Sequence, residues 1–321
     1  MTITFVDLPD LASERLGAAV VAANDEFFAP KENLIKPGAS IWKEGEYTDR
    51  GKWMDGWETR RRRDEGHDWC IVRLGVPGIV RGVDVDTSFF KGNYPAACAI
   101  DVCDAPERAT PDELSRATWH EALARTPLNG DAHNLFPIAD APKGSHVRLR
   151  IFPDGGVARL RVHGEVIADW DRLARRGDVD LAAVEHGGLV VACSDMFFGS
   201  RHNLIMPGPS RGMADGWETK RRRTPGYDWT IVRLGRPAAI ARVEVDTRHF
   251  KGNAPAACSL DASTSDRPDD WIELLPRSAL TPDRTHTFES ALRPIADVTY
   301  VRLNIFPDGG VARLRVFSRI G

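Results

Sequence analysis

The chain has 321 residues, 42% hydrophobic and 28% charged, with a formal net charge of −3; this is a soluble globular composition that excludes nucleic acid as the main partner. Five cysteines (Cys70, Cys98, Cys103, Cys193, Cys258) form no CxxC pair, so neither a disulfide framework nor a zinc knuckle is indicated, and a cytoplasmic, reducing setting is expected. No basic leader, no apolar run of about 18 residues and no N-x-[ST] sequon occurs, which argues against membrane insertion and secretion.

The stretch from Glu14 to Ala23 is Ala-rich and reads as a short helical lead-in to a strand-like run, Ala18 to Ala22; Asp178 to Glu185 and Leu189 to Cys193 repeat that arrangement. Asn24 to Gly38 then matches Ser194 to Gly208, 170 positions on, whereas Asp55-Gly56-Trp57-Glu58-Thr59-Arg60-Arg61-Arg62-Arg63 returns only 160 positions on as Asp215-Gly216-Trp217-Glu218-Thr219-Lys220-Arg221-Arg222-Arg223. The chain is therefore a duplication whose first half carries ten extra residues between Gly38 and Asp55, around Trp42 to Tyr47. Asp68 to Gly75 and Asp228 to Gly235 are β-rich and bounded by glycine. Val83 to Thr87 and Val243 to Thr247 alternate apolar and acidic residues, the period of a half-buried strand. Phe90-Lys91-Gly92-Asn93 and Phe250-Lys251-Gly252-Asn253 follow as turns. Each half closes with alternating runs on either side of Pro-Asp-Gly-Gly, Val147 to Val162 and Val301 to Val316, which reads as a β-hairpin. Short strands with turns every 8 to 12 residues or so predict an all-β fold, one β-sandwich in residues 1–170 and a second in 171–321, with Trp170 to Arg176 as linker.

The repeated Asp-Gly corner is the first place to look for a site, because a tight turn presents the following residues where a loop becomes a strand. Glu58 and Glu218 follow a Trp at the turn exit. Half-burial there would raise a carboxyl's pKa toward that of a general acid; pairing with a neighbouring Arg is the structural alternative. Asp55 and Asp215 are read as bonding their own turns. Arg60 and the basic residues after it offer guanidinium forks for an anion, or else a solvated face. Trp57 and Trp217 are candidate substrate contacts beside them. Turn chemistry accounts for the Gly and Asn of Phe-Lys-Gly-Asn but not the Lys, so Lys91, Asn93, Lys251 and Asn253 are substrate-binding candidates. His133 and His286 stand at loosely corresponding positions, which makes them catalytic candidates. Arg148, Arg150, Arg159 and Arg161 are expected on the outward side of one hairpin. No zinc-type cluster is present; no cofactor is expected, and the sequence leaves a divalent metal open.

Taken together, Asp25-Glu26-Phe27-Phe28, Asn33-Leu34-Ile35, Asp55 to Arg61, His67-Asp68-Trp69, Phe90-Lys91-Gly92-Asn93-Tyr94-Pro95 and Arg150 to Gly156, each with a second copy, resemble the allantoicase family over nearly the whole chain. The resemblance implies two tandem jelly-roll β-sandwiches of galactose-binding-like type. It also implies a small-molecule substrate, allantoate, hydrolysed to ureidoglycolate and urea in purine nitrogen recycling. A homo-oligomer is expected. The competing class is a non-catalytic tandem carbohydrate-binding or small-ligand-binding sandwich. Met196 where the first half has Glu26, and Ala254 where it has Tyr94, leave open which half is competent.

Overall fold

Alternating apolar residues and frequent turns build strands throughout the computed structural model, which describes residues 3–175, 177–265 and 270–319. Two units separate between Ile167 and Ala168. The strands of the first are β1 (Ala19–Ala23), β2 (Tyr47–Thr48), β3 (Gly51–Lys52), β4 (Trp57–Glu58), β5 (Asp68–Asp86), β6 (Ala97–Cys103), β7 (His120–Pro127), β8 (His133–Pro137), β9 (Lys143–Phe152), β10 (Gly156–Val157) and β11 (Arg159–Val166). β5 serves both layers of a sandwich. Its first part pairs with β1 and β9 in the order β1-β5-β9-β6-β7; after a register break between Arg73 and Gly78 its second part pairs with β8 and β11. Inward side chains from both layers, among them Leu34, Trp57, Val83, Ile100, Leu149 and Leu160, form one apolar core, the usual driving force for closing two sheets on each other.

The second unit repeats the plan with β12 (Asp178–Asp180), β13 (Leu189–Cys193), β14 (Trp217–Glu218), β15 (Asp228–Ala238), β16 (Arg242–Asp246), β17 (Ala257–Ser263), β18 (Ile272–Ala279), β19 (Thr285–Phe288), β20 (Val298–Phe306), β21 (Gly310–Val311) and β22 (Arg313–Arg319). Here the long strand is split into β15 and β16, giving separate sheets β13-β15-β20-β17-β18 and β12-β22-β16-β19. In both units the incoming chain pairs with the last strand: Asp10 bridges His163, and β12 pairs with β22.

Two expectations need correcting, and the expected linker gains a conformation. The lead-in forms only a 3-10 turn, Glu14–Leu16, ended by Gly17 at φ 87, before β1. The linker is helical over Trp170–Ala174, capped by Asp169; Arg176 lies outside the described residues. Pro153 to Gly156 is not a hairpin turn. β9 pairs with β5 and β6, whereas β10 pairs with β4 and β11 with the far part of β5. The chain crosses between layers at that point. Arg148 and Arg150 accordingly grip Asp101 on β6, while Arg159 is buried with Asp55.

Candidate active site

β4 is held on both sides: Glu58 bridges Ala29 and pairs with Gly156. Because side chains alternate along a strand, Trp57 enters the core and Glu58 points the other way. Trp57 is fully buried and its indole donates to the Asp25 carbonyl at 2.8 Å; Trp217 does the same to Asp195. Both tryptophans are core residues, which corrects their assignment as substrate contacts. The turn ahead of them is equally tight. A Cβ on Gly56 or Gly156 would come within 2.7 Å or 2.0 Å of the Phe90 ring, so only glycine lets the corner close on it.

Asp55 does not merely cap its own turn. Its Oδ2 meets Arg159 Nη2 at 2.7 Å and takes the Ile41 N–H at 3.0 Å, and Arg159 Nη1 donates to the Asp55 carbonyl at 2.8 Å. Burial works to raise the Asp55 pKa, but these bonds outweigh it and hold the carboxyl below its usual range. Arg313 and Asp215 repeat the pair at 3.0 Å.

On the open side of β4 lies a cavity of about 660 Å³, within the size range of small-ligand sites. Glu58, Asn93 and Lys91 line one part of it; Phe28, Trp42 and Phe89 supply aromatic walls, and Lys52 and Met54 close the rest. Asn93 donates to Glu58 Oε1 at 2.7 Å. Burial raises the Glu58 pKa above its ordinary value, and the Asn93 bond only partly offsets it. Glu58 is thus a half-buried carboxyl with a raised pKa, next to a chamber that admits a small molecule.

Part of the cavity wall comes from the segment between Gly38 and Asp55, which is ten residues longer than its counterpart in the second half. Trp42, Lys52 and Met54 all belong to the segment after Gly38, whose β2–β3 hairpin is folded back by the Trp53 N–H to Glu46 carbonyl bond of 3.0 Å. Arg50 ties the hairpin to the Phe27 carbonyl at 2.9 Å. The second unit keeps the Glu218 and Asn253 pair, at 2.6 Å, yet its shorter segment ends in a 3-10 turn, Met213–Asp215. Phe198 there is 63% exposed, against 36% for Phe28. Trp42, Lys52, Met54 and Phe89 escaped the sequence reading. The length difference between the halves marked their neighbourhood, although not the individual residues.

The other expected residues fall elsewhere. Arg60 closes on Asp25 through Nε at 2.7 Å and its own N–H at 2.9 Å, and lines a neighbouring groove with Arg61, Arg62 and Arg63. Lys91 lines the cavity but has Asp131 at 3.7 Å, and Lys251 has Asp283 at 3.8 Å. His133 and His286 do not line the cavity and are not counterparts. His133 pairs with Asp86 across the ladder and His286 with Val245, one place off. The counterpart of His286 is Asn134: each donates to the facing strand's carbonyl (Val85, Val245) and accepts a loop N–H (Asn129, Thr281). With both ring nitrogens so engaged, His286 is structural, a correction to its reading as catalytic. Among the described residues no group of three or more His, Cys, Asp or Glu side chains is arranged to hold a metal ion, and no helix is long and apolar enough to cross a membrane.

Comparison with known proteins adds a family. The family model described as "Allantoicase repeat" matches residues 9–167 and again 179–321. A probable allantoicase of Pseudomonas aeruginosa (strain LESB58) is 50% identical over 97% of this chain and 95% of its own length. One from Photobacterium profundum is 48% identical over 98% of each. The crystal structure of allantoicase from Saccharomyces cerevisiae superposes with a TM-score of 0.84 at 36% identity, covering 97% of this chain and 92% of that one.

Proposed function

The chain belongs to the allantoicase family and is a hydrolase, and we propose that it releases urea from allantoate in the cavity of its first repeat, with Glu58 as the proton-transfer residue. One observation carries the assignment of the site. Glu58 is a carboxyl with a raised pKa, braced by Asn93, at the edge of a cavity of about 660 Å³.

Allantoate bears a carboxylate and two ureido groups on one carbon, so release of urea breaks an aminal C–N bond. In the proposed step the Glu58 carboxyl gives its proton to the departing nitrogen. The lone pair of the remaining ureido nitrogen stabilises the carbon as that bond breaks. Water then forms the new C–O bond and returns a proton to the Glu58 carboxylate, giving ureidoglycolate, urea and the starting enzyme. Hydrolysis is of the C–N type on a linear amidine. Asn93 holds the acid in place, and Lys91 stands at the rim with the Asp131 carboxylate at 3.7 Å. The free cysteines, four of them buried, support a cytoplasmic site of action.

The test is urea release from allantoate by the purified chain and by Glu58→Gln. Turnover by the former and a loss of about 100-fold or more in kcat by the latter is the expected result for removing a general acid. Sugar binding with no urea produced would overturn the activity.

A further inference from the structure

We propose that Lys52, a residue only the first repeat possesses, takes the substrate's carboxylate, and that the chain therefore has one competent active site rather than two. This deepens the reading of the Glu58 cavity and rests on it.

The argument begins with charge. A substrate carboxylate is repelled by Glu58 whenever that group is ionised, so it needs a cation elsewhere on the cavity wall. Two lysines are available. Lys91 already has the Asp131 carboxylate at 3.7 Å, and this pair recurs in the second repeat as Lys251 and Asp283 at 3.8 Å. In both repeats the same aspartate also receives a loop N–H, that of Phe89 at 2.7 Å or His249 at 2.8 Å. The lysine and aspartate thus belong to the architecture of the turn, which accounts for the recurrence of Lys in Phe-Lys-Gly-Asn. Lys52 is different. Among the described residues it has no carboxylate partner; its ammonium stands over the Trp42 ring, 4.0 Å from the centroid. An aromatic face steadies a cation without neutralising it, so the Lys52 ammonium is left to face an incoming anion.

The arrangement holding Lys52 is confined to one repeat. Trp42 packs against Phe89 with ring centroids 5.8 Å apart. Lys52 faces Tyr47 across the β2–β3 ladder. All of this except Phe89 lies in the segment between Gly38 and Asp55 that is ten residues longer than its counterpart, and the residue in Phe89's place, His249, spends its Nε2 on the Ser210 carbonyl at 3.0 Å. Glu218 and Asn253 therefore remain as a brace between β14 and its turn, with no counterpart of the Trp42 and Lys52 wall.

The experiment measures kcat and KM for allantoate, and the inhibition constant of its neutral carboxamide, in the full chain and in Lys52→Met, Lys52→Arg, Lys91→Met and Glu218→Gln. Lys52→Met should raise KM about 10-fold or more, in proportion to one lost charge-assisted contact, with kcat little changed. Affinity for the carboxamide should stay constant, and Lys52→Arg should recover most of the loss. Lys91→Met should change KM and kcat by less than about 3-fold, and Glu218→Gln should leave kcat within roughly a quarter of the parent's. The proposal falls if Lys52→Met weakens acid and carboxamide alike, if Lys91→Met carries the acid-specific effect instead, or if Glu218→Gln abolishes half or more of the turnover. A Glu58→Gln variant measured alongside separates the failures. Lost turnover there with a normal Lys52→Met refutes only the carboxylate assignment, whereas full turnover by Glu58→Gln overturns the site and the inference together.

Discussion

Asn93 gives an amide hydrogen to Glu58 Oε1 across 2.7 Å, and no cation lies within ion-pair distance of that carboxyl among the described residues. A Gln at position 58 can still accept this hydrogen bond. Glu58→Gln is therefore expected to lose turnover without losing structure. Burial raises the folded-state pKa above 4.5, so the stability Glu58 contributes is full below its unfolded value and declines as pH rises through the folded one. Thermal melts at neutral pH should show the Gln variant equal to or above the parent, with the difference closing in acid; a lower melting temperature at neutral pH would mean the acid is needed for folding.

A second pH effect comes from His133, whose Nδ1 is 2.7 Å from Asp84 Oδ2. The hydrogen bond to Asp84 raises the histidine pKa against the opposing effect of burial; Asp86 adds to the rise and Arg161 opposes it. Asp84 itself is shifted upward by burial, moderated by His133. A raised folded-state histidine pKa stabilises fully below the unfolded value of about 6.5, and that benefit disappears as pH rises through the folded value. His133→Gln should accordingly depress the melting temperature more at about pH 6 than at about pH 9. Equal depression at both would show that the ring is held for its shape and not its charge.

The Asp55 and Arg159 side chains are 6% and 3% exposed and joined at 2.7 Å. Removing one partner strands a buried charge, which costs about 3–5 kcal/mol. Asp55→Asn should lower the stability of the first repeat by that order in denaturant titration. The double change Asp55→Asn with Arg159→Met should recover part of the loss; if it is no better than the single change, the arginine's other bonds to carbonyls dominate.

Trp217 gives a cleaner test of the buried tryptophans than Trp57, which adjoins Glu58. Trp217→Phe leaves a void and deprives the Asp195 carbonyl of its donor, a loss of about 2–3 kcal/mol. KM for allantoate should not move. A raised KM with unchanged stability would restore the tryptophan as a substrate contact.

The duplicated strand pattern and the Asp-Gly corner were legible in the sequence because local periodicity and turn residues encode them. Layer assignment was not. Pro153 to Gly156 has the composition of a hairpin turn, yet Gly156 and Val157 pair with β4 across the sandwich, a long-range choice no local pattern records. The histidines misled for a related reason: matching residue identity aligned His133 with His286, while ladder register aligns Asn134 with His286. At the site, Glu58 and Asn93 were visible as turn-exit and turn residues. Lys52 was not, since its role depends on a ring ten positions earlier folding under it.

In each unit the chain arrives and departs on neighbouring strands of the same sheet, Asp10 beside His163 in the first and Asp178–Asp180 along β22 in the second. Such a unit is topologically a closed loop with a nick. Joining residues near Pro9 and Val166 by a short polar linker, and opening the chain instead at an exposed turn such as Arg63–Gly66, would preserve every ladder within the first unit. A circular permutant of this kind is the natural vehicle for asking whether one repeat, severed from its copy, folds and works alone.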